Sequence, residues 1–295
     1  MHKAGFINII GKPNVGKSTL LNKLIGEKLA IVTSKPQTTR QRMLAIYNDE
    51  EHQLIFSDTP GVISEPAYEL QKSMNKYVYS SFEDADAILF ISDIYDDLIY
   101  SQKFIDSIKG SESPKFLVIN KMDLGNEEKI QELIVKWKEL ISFTDIFAIS
   151  AKLGFNTDQL IDKLKEIIPN SPPYYPKDQF TDKTERFFVE ELIREKILML
   201  YQKEVPYSVQ VVIDEWRDAA KKDEKLIYIQ ANIFISRKSQ KHIIIGRKGD
   251  MIKKLGTLAR IDIEEFLGKK VFLELLVKEL EDWRNDEKTL KKLGY

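Results

Sequence analysis

The sequence predicts a doubly wound, mostly parallel α/β domain followed by a smaller α+β domain. Over residues 3–170, short apolar runs alternate with amphipathic helical patterns, which is typical of a parallel sheet covered by helices on both faces. Beyond a proline-rich segment the order changes to helix–strand–strand–helix–helix–strand, which is typical of a small α+β domain. A chain of 295 residues has room for both.

The strands of the first domain are predicted from runs that are apolar enough to be buried on both faces of a sheet. Helices are expected between them, because residues 18–29 and 127–141 repeat leucine and isoleucine at helical spacing. In a fold of this kind, ligands bind at the carboxyl ends of the strands. The predicted strands are residues 6–10, 53–57, 87–92, 116–119 and 146–149.

A proline-rich segment divides the chain. Four prolines between residues 169 and 176 cannot continue a helix or a central strand, so this segment is predicted to be a stiff linker. The first domain is therefore placed at residues 1–170, the linker at 171–180 and the second domain at 181–295. The expected elements of the second domain are helices at 186–202 and 249–267 and strands at 207–216, 225–236 and from 270.

Composition excludes several classes of protein. With 43% hydrophobic and 31% charged residues, the chain has the composition of an ordinary globular protein. No apolar run approaches the roughly 20 residues that span a bilayer, and the first residues lack the pattern of a secretory signal. The absence of cysteine excludes disulfides and thiolate metal sites and agrees with a reducing cytoplasm. A net charge of −1 is uninformative about nucleic acid, so local charge has to decide that question.

The segment after the first predicted strand fits the phosphate-binding pattern G-x-x-x-x-G-K-[ST]. Its glycines let backbone N–H groups curl around phosphate oxygens, and the helix that begins there adds a favourable dipole. We expect Lys17 to reach the β- and γ-phosphates and the Ser18 hydroxyl to bind magnesium. The predicted nucleotide-binding residues of this phosphate loop are Gly11, Lys12, Pro13, Asn14, Val15, Gly16, Lys17, Ser18 and Thr19.

The next motif, Asp58-Thr59-Pro60-Gly61, ends the predicted strand 53–57. At this position an aspartate can hold the magnesium shell through a water molecule, and a glycine N–H can face the γ-phosphate. All four residues are therefore predicted to belong to the nucleotide site.

Two motifs at the ends of the last two predicted strands select guanine. The carboxylate of Asp123 can accept two hydrogen bonds from guanine N1–H and the 2-amino group, whereas adenine would leave it unpaired. The stem of Lys121 can cover the base, and the backbone of the second motif can meet guanine O6. The two motifs are Asn120-Lys121-Met122-Asp123 and Ser150-Ala151-Lys152. With the phosphate loop they predict GTP and GDP as ligands.

A polar segment, residues 34–42, lies between a helix and a strand and carries Thr38 and Thr39. A threonine in such a segment binds magnesium only while a γ-phosphate is present, which makes the segment a nucleotide-sensing switch. We favour Thr39 over Thr38, so the predicted magnesium ligands are Ser18, Thr39 and, through a water molecule, Asp58. The alternative is an ordinary Ser/Thr-rich loop.

These motifs resemble those of the Era family of translation-factor-related GTPases. The motifs that carry the resemblance are the phosphate loop, Gln-Thr-Thr-Arg at residues 37–40, Asp-Thr-Pro-Gly at 58–61, Asn-Lys-Met-Asp at 120–123 and Ser-Ala-Lys at 150–152. The resemblance implies a P-loop GTPase domain that switches between GTP and GDP states.

Intrinsic hydrolysis is expected to be slow, because Val62 stands where many regulatory GTPases place the glutamine that orients the attacking water. Either a partner supplies the missing group, or backbone groups and metal ions position the water. In related GTPases an asparagine at the position of Asn14 helps to hold a monovalent cation, so potassium activation is one hypothesis and bracing of the loop by Asn14 is the other. Arg40 and Arg42 are expected to be solvent-facing loop cations. The predicted catalytic residues are Lys17, Thr39, Gly61 and Asn14.

A second glycine loop, residues 246–249, fits the GXXG turn of a KH module. Such a turn brings backbone and cations against a sugar–phosphate chain and clamps about four nucleotides of single-stranded RNA. The order of elements around it is that of a type II KH fold, and residues 236–260 hold eight cations against one acid. The predicted RNA-binding residues are Gly246, Arg247, Lys248, Gly249, Lys241, Lys253 and Lys254.

The resemblance to the Era family continues through residues 204–216, 243–256 and 277–295. It implies a GTP-controlled assembly factor that binds the 3′ end of small-subunit ribosomal RNA and the immature 30S particle in the cytoplasm, with a weak association with the inner face of the membrane. We expect a monomer. The alternative is a signalling GTPase whose basic C-terminal domain binds a protein or anionic lipid through the same cations.

Overall fold

The chain divides into two compact units in the computed structural model, which describes residues 1–218 and 226–295. The first unit spans Met1–Asp182 and the second spans Lys183–Gly294. Lys225, the first residue of one predicted strand, lies outside the described residues. None of the described helices has both the length and the apolarity needed to cross a bilayer.

The first unit is a doubly wound α/β fold, which confirms the predicted class. Its six-stranded sheet has the order β2-β3-β1-β4-β5-β6, and only the β2–β3 pair is antiparallel. Its elements are β1 Lys3–Gly11, α1 Lys17–Ile25, β2 Met43–Asn48, β3 His52–Asp58, α2 Glu69–Ser80, β4 Ala87–Asp93, α3 Gln102–Gly110, β5 Lys115–Asn120, α4 Glu127–Leu140, β6 Asp145–Ala148 and α5 Thr157–Ile167.

The central strands are covered by helices on both faces, and every residue of β4 is buried. On one face an aromatic group fills the space under α4, with the ring centroid of Phe90 at 4.7 Å from that of Trp137 and Tyr100 at 5.4 Å from Trp137. Burial on both faces explains why β1, β4 and β5 appear in the sequence as nearly continuous apolar runs. The packing aligns the carboxyl ends of these strands at one edge of the sheet.

Strand β2 is absent from the predicted apolar runs. It is the antiparallel edge strand of the sheet, and it mixes buried with half-buried residues, so its sequence does not form a continuous apolar run. Its first residue, Met43, pairs with Asp58 at the end of β3. The polar segment 34–42 is therefore joined directly to a strand that pairs beside the Asp58 motif.

The segment that follows α5 runs along the outer edge of β2. The N–H of Ile46 donates to the carbonyl of Phe180 at 2.8 Å. The hydroxyl of Thr181 donates to the carbonyl of Leu44 at 2.7 Å, and the N–H of Leu44 donates to Asp182 at 2.8 Å. Residues 171–180, the predicted linker, thus lie against the first unit, and the second unit begins one residue after Asp182.

The second unit confirms the predicted α+β order. Strands β7 and β8 are antiparallel, whereas β8 and β9 are parallel, in a sheet ordered β7-β8-β9. Its core is formed by apolar residues of the sheet and the long helices, among them Ile193, Ile229 and Leu255. The elements are α6 Glu185–Leu200, β7 Val209–Asp218, β8 Leu226–Ile235, α7 Lys238–Ile245, α8 Asp250–Leu267, β9 Lys270–Glu279 and α9 Glu287–Lys292.

Candidate functional site

A cavity of about 440 Å³ lies at the carboxyl ends of the first unit's strands. It is lined by residues of the phosphate loop, of the switch segment 34–42 and of the three later motifs, so the fold brings together groups that are far apart in the sequence. The predicted residues that line it are Pro13, Asn14, Gly16, Lys17, Ser18, Thr19, Thr39, Gly61, Asn120, Lys121, Asp123, Ser150 and Lys152.

Two glycines allow the surrounding loops to approach each other closely. Gly16 has φ 100°, and a Cβ atom there would lie 2.2 Å from Nδ2 of Asn120. At Gly61 a Cβ atom would lie 2.6 Å from the backbone nitrogen of Pro13. Both distances are far inside van der Waals contact, so a side chain at either position would push the phosphate loop away from its neighbours. Helix α1 begins at Lys17, and its N-terminal end therefore faces a cavity suited to phosphate.

Lys17 is buried beneath the phosphate loop, with 6% of its surface exposed. Its Nζ donates to the carbonyl oxygens of Gly11 at 3.1 Å and Lys12 at 2.7 Å. Burial lowers the pKa of Lys17 to about 8, although the nearby charge of Asp58 acts in the opposite direction. The ammonium group is thus only partly compensated, and phosphate oxygens in the cavity would supply the missing negative charge.

Asp58 gathers the three predicted magnesium ligands into one cluster. The hydroxyl of Ser18 donates to Oδ2 of Asp58 at 2.9 Å and lies 3.0 Å from the hydroxyl of Thr39. Thr39 also donates to Asp58 Oδ2, at 3.3 Å. The hydroxyl of Thr38 instead contacts Thr33 and Lys35, each at 2.7 Å. The structure therefore brings Thr39, and not Thr38, to Ser18 and Asp58.

The cluster around Asp58 fits a hard divalent cation. Asp58 is fully buried, and its Oδ1 has no hydrogen-bond partner. Burial raises the pKa of Asp58, while Lys17, Ser18 and Thr39 oppose that rise. Magnesium takes oxygen ligands and relieves an uncompensated carboxylate. Within residues 1–218 and 226–295 there is no group of three or more acidic, histidine or cysteine residues suited to a metal, whereas the cluster around Asp58 offers hydroxyl and carboxylate oxygens that could hold magnesium.

Asn120 holds two walls of the cavity together. Its Nδ2 donates to the carbonyl of Val15 at 2.8 Å, and its Oδ1 accepts from the N–H of Ala151 at 3.0 Å. Both ends of the amide are thus occupied by backbone, which fixes the phosphate loop relative to the Ser150-Ala151-Lys152 motif. Lys121 has φ 62° and pairs with Asp93.

Several predicted residues do not line the cavity, and the side chains of two of them contact groups elsewhere. The hydroxyl of Thr59 donates to the carbonyl of Ile9 at 2.7 Å. The Nζ of Lys12 contacts Asp96 at 2.8 Å and lies 4.1 Å from the centre of the Tyr100 ring. The predicted residues outside the cavity lining are Gly11, Lys12, Val15, Asp58, Thr59, Pro60 and Ala151.

The cavity also contains residues that were not among the predicted site residues, although Gln37 and Thr38 belong to the switch segment. They are apolar or neutral polar residues, and most come from the segment just before or within residues 34–42. No fixed spacing identifies these residues. The apolar pair Ile31 and Val32, just before the switch segment, is nevertheless a pattern that could indicate an apolar wall for a base or a sugar. The additional lining residues are Ile31, Val32, Thr33, Gln37, Thr38 and Leu124.

Two arginines near the cavity, Arg40 and Arg42, are less exposed than the sequence predicts. Arg40 is 2% exposed, so its prediction as a solvent-facing cation is wrong. Arg42 is half-buried and donates from Nε to the hydroxyl of Ser57 at 2.7 Å. The Arg42 side chain thus contacts β3, and neither arginine is the open loop cation that the sequence predicts.

The residues that follow Gly61 are held by backbone contacts and by α2. Val62 is buried, and its N–H donates to the carbonyl of Gly11 at 3.1 Å. The side-chain amide of Asn75 accepts from the N–H of Ile63 at 3.0 Å and donates to the Ile63 carbonyl at 2.7 Å. The segment after Asp58 is thus anchored to a helix, and Val62 presents no polar group to the cavity.

The second unit presents the GXXG turn between α7 and α8. Gly246 and Gly249 have φ 75° and 81°, and Lys248 between them has φ 53°. A Cβ atom at Gly246 would lie 2.2 Å from a carboxylate oxygen of Asp250, so this position requires glycine. Arg247 and Lys248 are exposed at the tip of the turn.

A groove of about 390 Å³ lies between α8 and the edge strand β9. Of the predicted RNA-binding lysines, Lys253 lines the groove, whereas Lys241 and Lys254 are exposed outside its lining. The walls combine apolar side chains with the cations Lys253 and Arg260 and with one acid, Glu274. Its lining residues are Ile252, Lys253, Gly256, Thr257, Arg260, Phe272, Leu273, Glu274 and Leu275.

Both units of the chain are similar to known protein families. Residues 6–121 match a family described as a 50S ribosome-binding GTPase, and residues 204–284 match the KH domain family. The chain is 45% identical to GTPase Era of Syntrophus aciditrophicus, over 100% of this chain and 96% of that protein. It is 42% identical to GTPase Era of Staphylococcus epidermidis, over 100% of this chain and 97% of that protein. The chain belongs to the Era family of GTPases.

Solved Era structures agree with this assignment over the whole chain. One, of Era in complex with MgGDPNP and nucleotides 1506–1542 of 16S ribosomal RNA, has a TM-score of 0.94 at 38% identity and covers 100% of this chain and 99% of its own. Another, of Aquifex aeolicus Era bound to GDP·AlF4⁻, has a TM-score of 0.92 at 38% identity and covers 99% of each chain. The Era fold therefore accounts for both units and for their order.

The state of Lys17 leads to a testable consequence. With a pKa of about 8, Lys17 is half charged at pH 8 in the free protein, and phosphate oxygens would raise that pKa. Binding of GDP at pH 8 should therefore take up about half a proton, and uptake should fall as the pH is lowered to 7. Above pH 8 the affinity should decrease as the pH rises.

Calorimetric titration with GDP in buffers of different ionisation enthalpy measures the proton uptake. EDTA is present in every titration, so that magnesium bound at Asp58 does not contribute. Lys152→Met, which changes an exposed lysine of the same cavity, should keep the uptake. Binding of GDP at pH 8 without proton exchange would contradict the assignment to Lys17.

Proposed function

We propose that this protein is a GTP-controlled, RNA-binding switch that binds the 3′ end of small-subunit ribosomal RNA and assists maturation of the 30S subunit. One observation carries the proposal. A full-length relative with a TM-score of 0.94, in complex with MgGDPNP and 16S ribosomal RNA, has the same two units in the same order as this chain. The cavity of the first unit and the GXXG groove of the second unit supply the chemistry that such a switch needs.

In the first unit, the proposal assigns the phosphates to the backbone of residues 11–18 and to Lys17. Magnesium is assigned to Ser18, Thr39 and, through a water molecule, Asp58; when bound, it neutralises charge on the β- and γ-phosphates. Guanine is assigned to Asp123, which is exposed at the cavity and can accept from the guanine edge. Adenine would leave this carboxylate unpaired, which accounts for selectivity.

In the second unit, the proposal assigns single-stranded RNA to the GXXG turn and the groove between α8 and β9. The eight cations against one acid in residues 236–260 provide counter-charges for phosphate, and this contribution is sensitive to salt. Among the described residues no strand pairs with the outer edge of β9, so its backbone groups can pair with base edges. This combination favours RNA over a protein partner, for which the glycine turn has no use.

The two sites can communicate through β2. Thr39 of the switch segment lies four residues before Met43, where β2 begins, and Met43 pairs with Asp58. The next residue, Leu44, is hydrogen-bonded to Thr181 and Asp182, directly before the second unit. We infer that a change at Thr39 and Asp58 reaches the RNA-binding unit through these bonds, whichever nucleotide state favours RNA.

Two competing partners have some support. The family matched by residues 6–121 is described as a 50S ribosome-binding GTPase, which suggests the large subunit. We favour the small subunit because the relative that matches the full length is in complex with 16S ribosomal RNA. The proposal places the protein in the cytoplasm, where ribosomes are assembled. A peripheral association with anionic membrane lipid would use the same cations without needing the glycine turn.

Reversing the charge at the tip of the turn tests the RNA assignment. Arg247→Asp combined with Lys248→Asp should weaken binding of a short RNA matching the small-subunit 3′ end by at least about tenfold, because phosphate counter-charges are lost and repulsion is added. Basal GTP hydrolysis should stay unchanged, because both residues lie outside the first unit. Fluorescence anisotropy at a fixed salt concentration measures the affinity, and phosphate release measures the hydrolysis.

The control Lys269→Asp changes one exposed cation of the second unit that is outside the groove lining, and it should affect RNA binding little. A scrambled RNA, a large-subunit RNA and vesicles with anionic lipid serve as competing ligands. Equal binding of all RNAs by the unaltered protein, or tight binding of vesicles alone, would contradict the proposal.

Potassium activation also belongs to the proposal. Asn14 has φ 63°, and its Nδ2 donates to the carbonyl of Ser34 at 3.0 Å, so its side chain joins the phosphate loop to the switch segment beside the cavity, and its amide oxygen Oδ1 is the ligand that it can offer to a cation. Oxygen ligands of this kind suit potassium. Turnover of GTP should be at least about tenfold faster in potassium chloride than in sodium chloride, and Asn14→Ala should remove the difference. Equal rates in the two salts would leave Asn14 with a bracing role only.

A further inference from the structure

The second unit carries a row of three side chains that neither the GXXG turn nor the predicted RNA residues include. Strand pairing places Arg217 of β7 opposite Tyr228 of β8, and Tyr228 opposite Phe272 of β9. Residues that are directly opposite across neighbouring strands lie on the same face of a sheet. The row therefore crosses the face of the sheet from β7 to the edge strand β9.

The three side chains form a layered stack. The rings of Tyr228 and Phe272 are stacked, with centroids 5.6 Å apart and planes 12° from parallel. The guanidinium of Arg217 lies 5.1 Å from the centre of the Tyr228 ring. The hydroxyl of Tyr228 donates to Glu274, which also accepts from Gln230 at 2.9 Å. Arg217 thus contacts Tyr228 on the β7 side, and Glu274 fixes the Tyr228 hydroxyl.

The stack is open at one end only. Arg217 covers Tyr228 from the β7 side, and Tyr228 covers one face of Phe272, but β9 is the last strand of this sheet within the part of the chain that the structure describes. Phe272 is 57% exposed. An exposed aromatic ring whose orientation is already fixed can take another flat group on its free side at little entropic cost.

The open end of this stack lies in the groove. Phe272 lines the groove between α8 and β9 together with the cations Lys253 and Arg260. Gly256, in the middle of that groove, lies closest to Leu275 of β9, and Glu264 near the end of α8 contacts Val271. Phe272 is therefore at the end of the groove that is farther from the GXXG turn.

We propose that Phe272 is a base-stacking residue of the RNA site: a base at the end of the groove stacks on its open face, and Tyr228 and Arg217 act as positioning residues behind it. This inference rests on the proposed RNA-binding function and names a subsite for it. The cations Lys253 and Arg260 in the same groove favour a nucleic acid over an apolar peptide. Stacking on an aromatic face accepts every base, so this subsite adds affinity more than sequence preference.

The test combines substitution of Phe272 with removal of single bases. The ligand is an RNA of about eight nucleotides that matches the small-subunit 3′ end, with one abasic residue placed at each position in turn. The unaltered protein should bind about tenfold more weakly when the base is removed at one position near an end of the bound stretch. In Phe272→Ala the intact RNA should bind about tenfold more weakly, and the abasic residue at that position should have no further effect.

Three variants separate stacking from general damage. Phe272→Tyr keeps an aromatic face and should restore both the affinity and the sensitivity to the abasic residue. Tyr228→Phe keeps the stack and should bind like the unaltered protein. Phe266→Ala removes another exposed phenylalanine, 40% exposed and outside the groove lining, and should leave the base dependence intact.

The outcomes distinguish this inference from the function on which it rests. If the RNA binds and Arg247→Asp with Lys248→Asp weakens it, but Phe272→Ala binds the intact RNA as tightly as the unaltered protein does, or still loses the same affinity when the base at that position is removed, the stacking subsite is refuted and the RNA-binding function stands. If the unaltered protein does not bind the RNA, the proposed function itself is refuted. A Phe272→Ala effect that is equal at every abasic position would also overturn the subsite, because it would indicate a structural role.

Discussion

The structure of the first unit depends on one buried carboxylate. Asp58 accepts hydrogen bonds from Ser18 of the phosphate loop and Thr39 of the switch segment, and it lies near the charge of Lys17. A buried carboxylate is costly unless it is compensated, so these groups are drawn together even without a ligand. Because Asp58 keeps an oxygen without a partner, the cluster is incomplete and can respond to a cation. The same group thus organises the loops and makes them sensitive to what occupies the cavity.

A change in the position of Asp58 can affect residues outside the cavity, because Asp58 is also part of the sheet. It pairs with Met43 at the start of β2, and the neighbouring Leu44 is held by side chains of Thr181 and Asp182 at the end of the first unit. Edge strands with an open side readily accept such pairing. The antiparallel β2 therefore joins the switch segment to the segment that leads to the second unit.

Sequence reasoning succeeded where local chemistry alone determines the outcome. Central strands such as β4 are buried on both faces, so their composition identifies them, and the glycines of both loops are required by positive φ or by close contact. It failed where burial depends on a partner distant in sequence. The strand β2 mixes buried with half-buried residues and forms no continuous apolar run, and the burial of Arg40 in a polar segment is not marked by any local pattern.

Other features depend on register and side-chain direction, which no motif encodes. Thr38 and Thr39 are adjacent and alike, and only the folded segment brings Thr39 to Asp58. Lys12 belongs to the phosphate-loop pattern, yet its side chain faces Asp96 on the other side of the loop. The row of Arg217, Tyr228 and Phe272 is set by the pairing of three strands, so the sequence gives no sign of it.

The coupling of nucleotide state to RNA affinity through Leu44 is the central claim, and a variant that cuts this contact tests it most directly. The measurement is the ratio of RNA affinities with a non-hydrolysable GTP analogue and with GDP, for the unaltered protein and for Thr181→Val combined with Asp182→Ala. Lys177→Ala, which removes contacts of the same segment with the carbonyls of Asp49 and Glu50, is the control. We expect the ratio of RNA affinities to differ from one in the unaltered protein and in the control. In the double variant we expect a ratio near one, with the same rate of GTP hydrolysis as in the unaltered protein. An unaltered protein whose RNA affinity ignores the nucleotide, or a double variant that keeps the full ratio, would contradict the account.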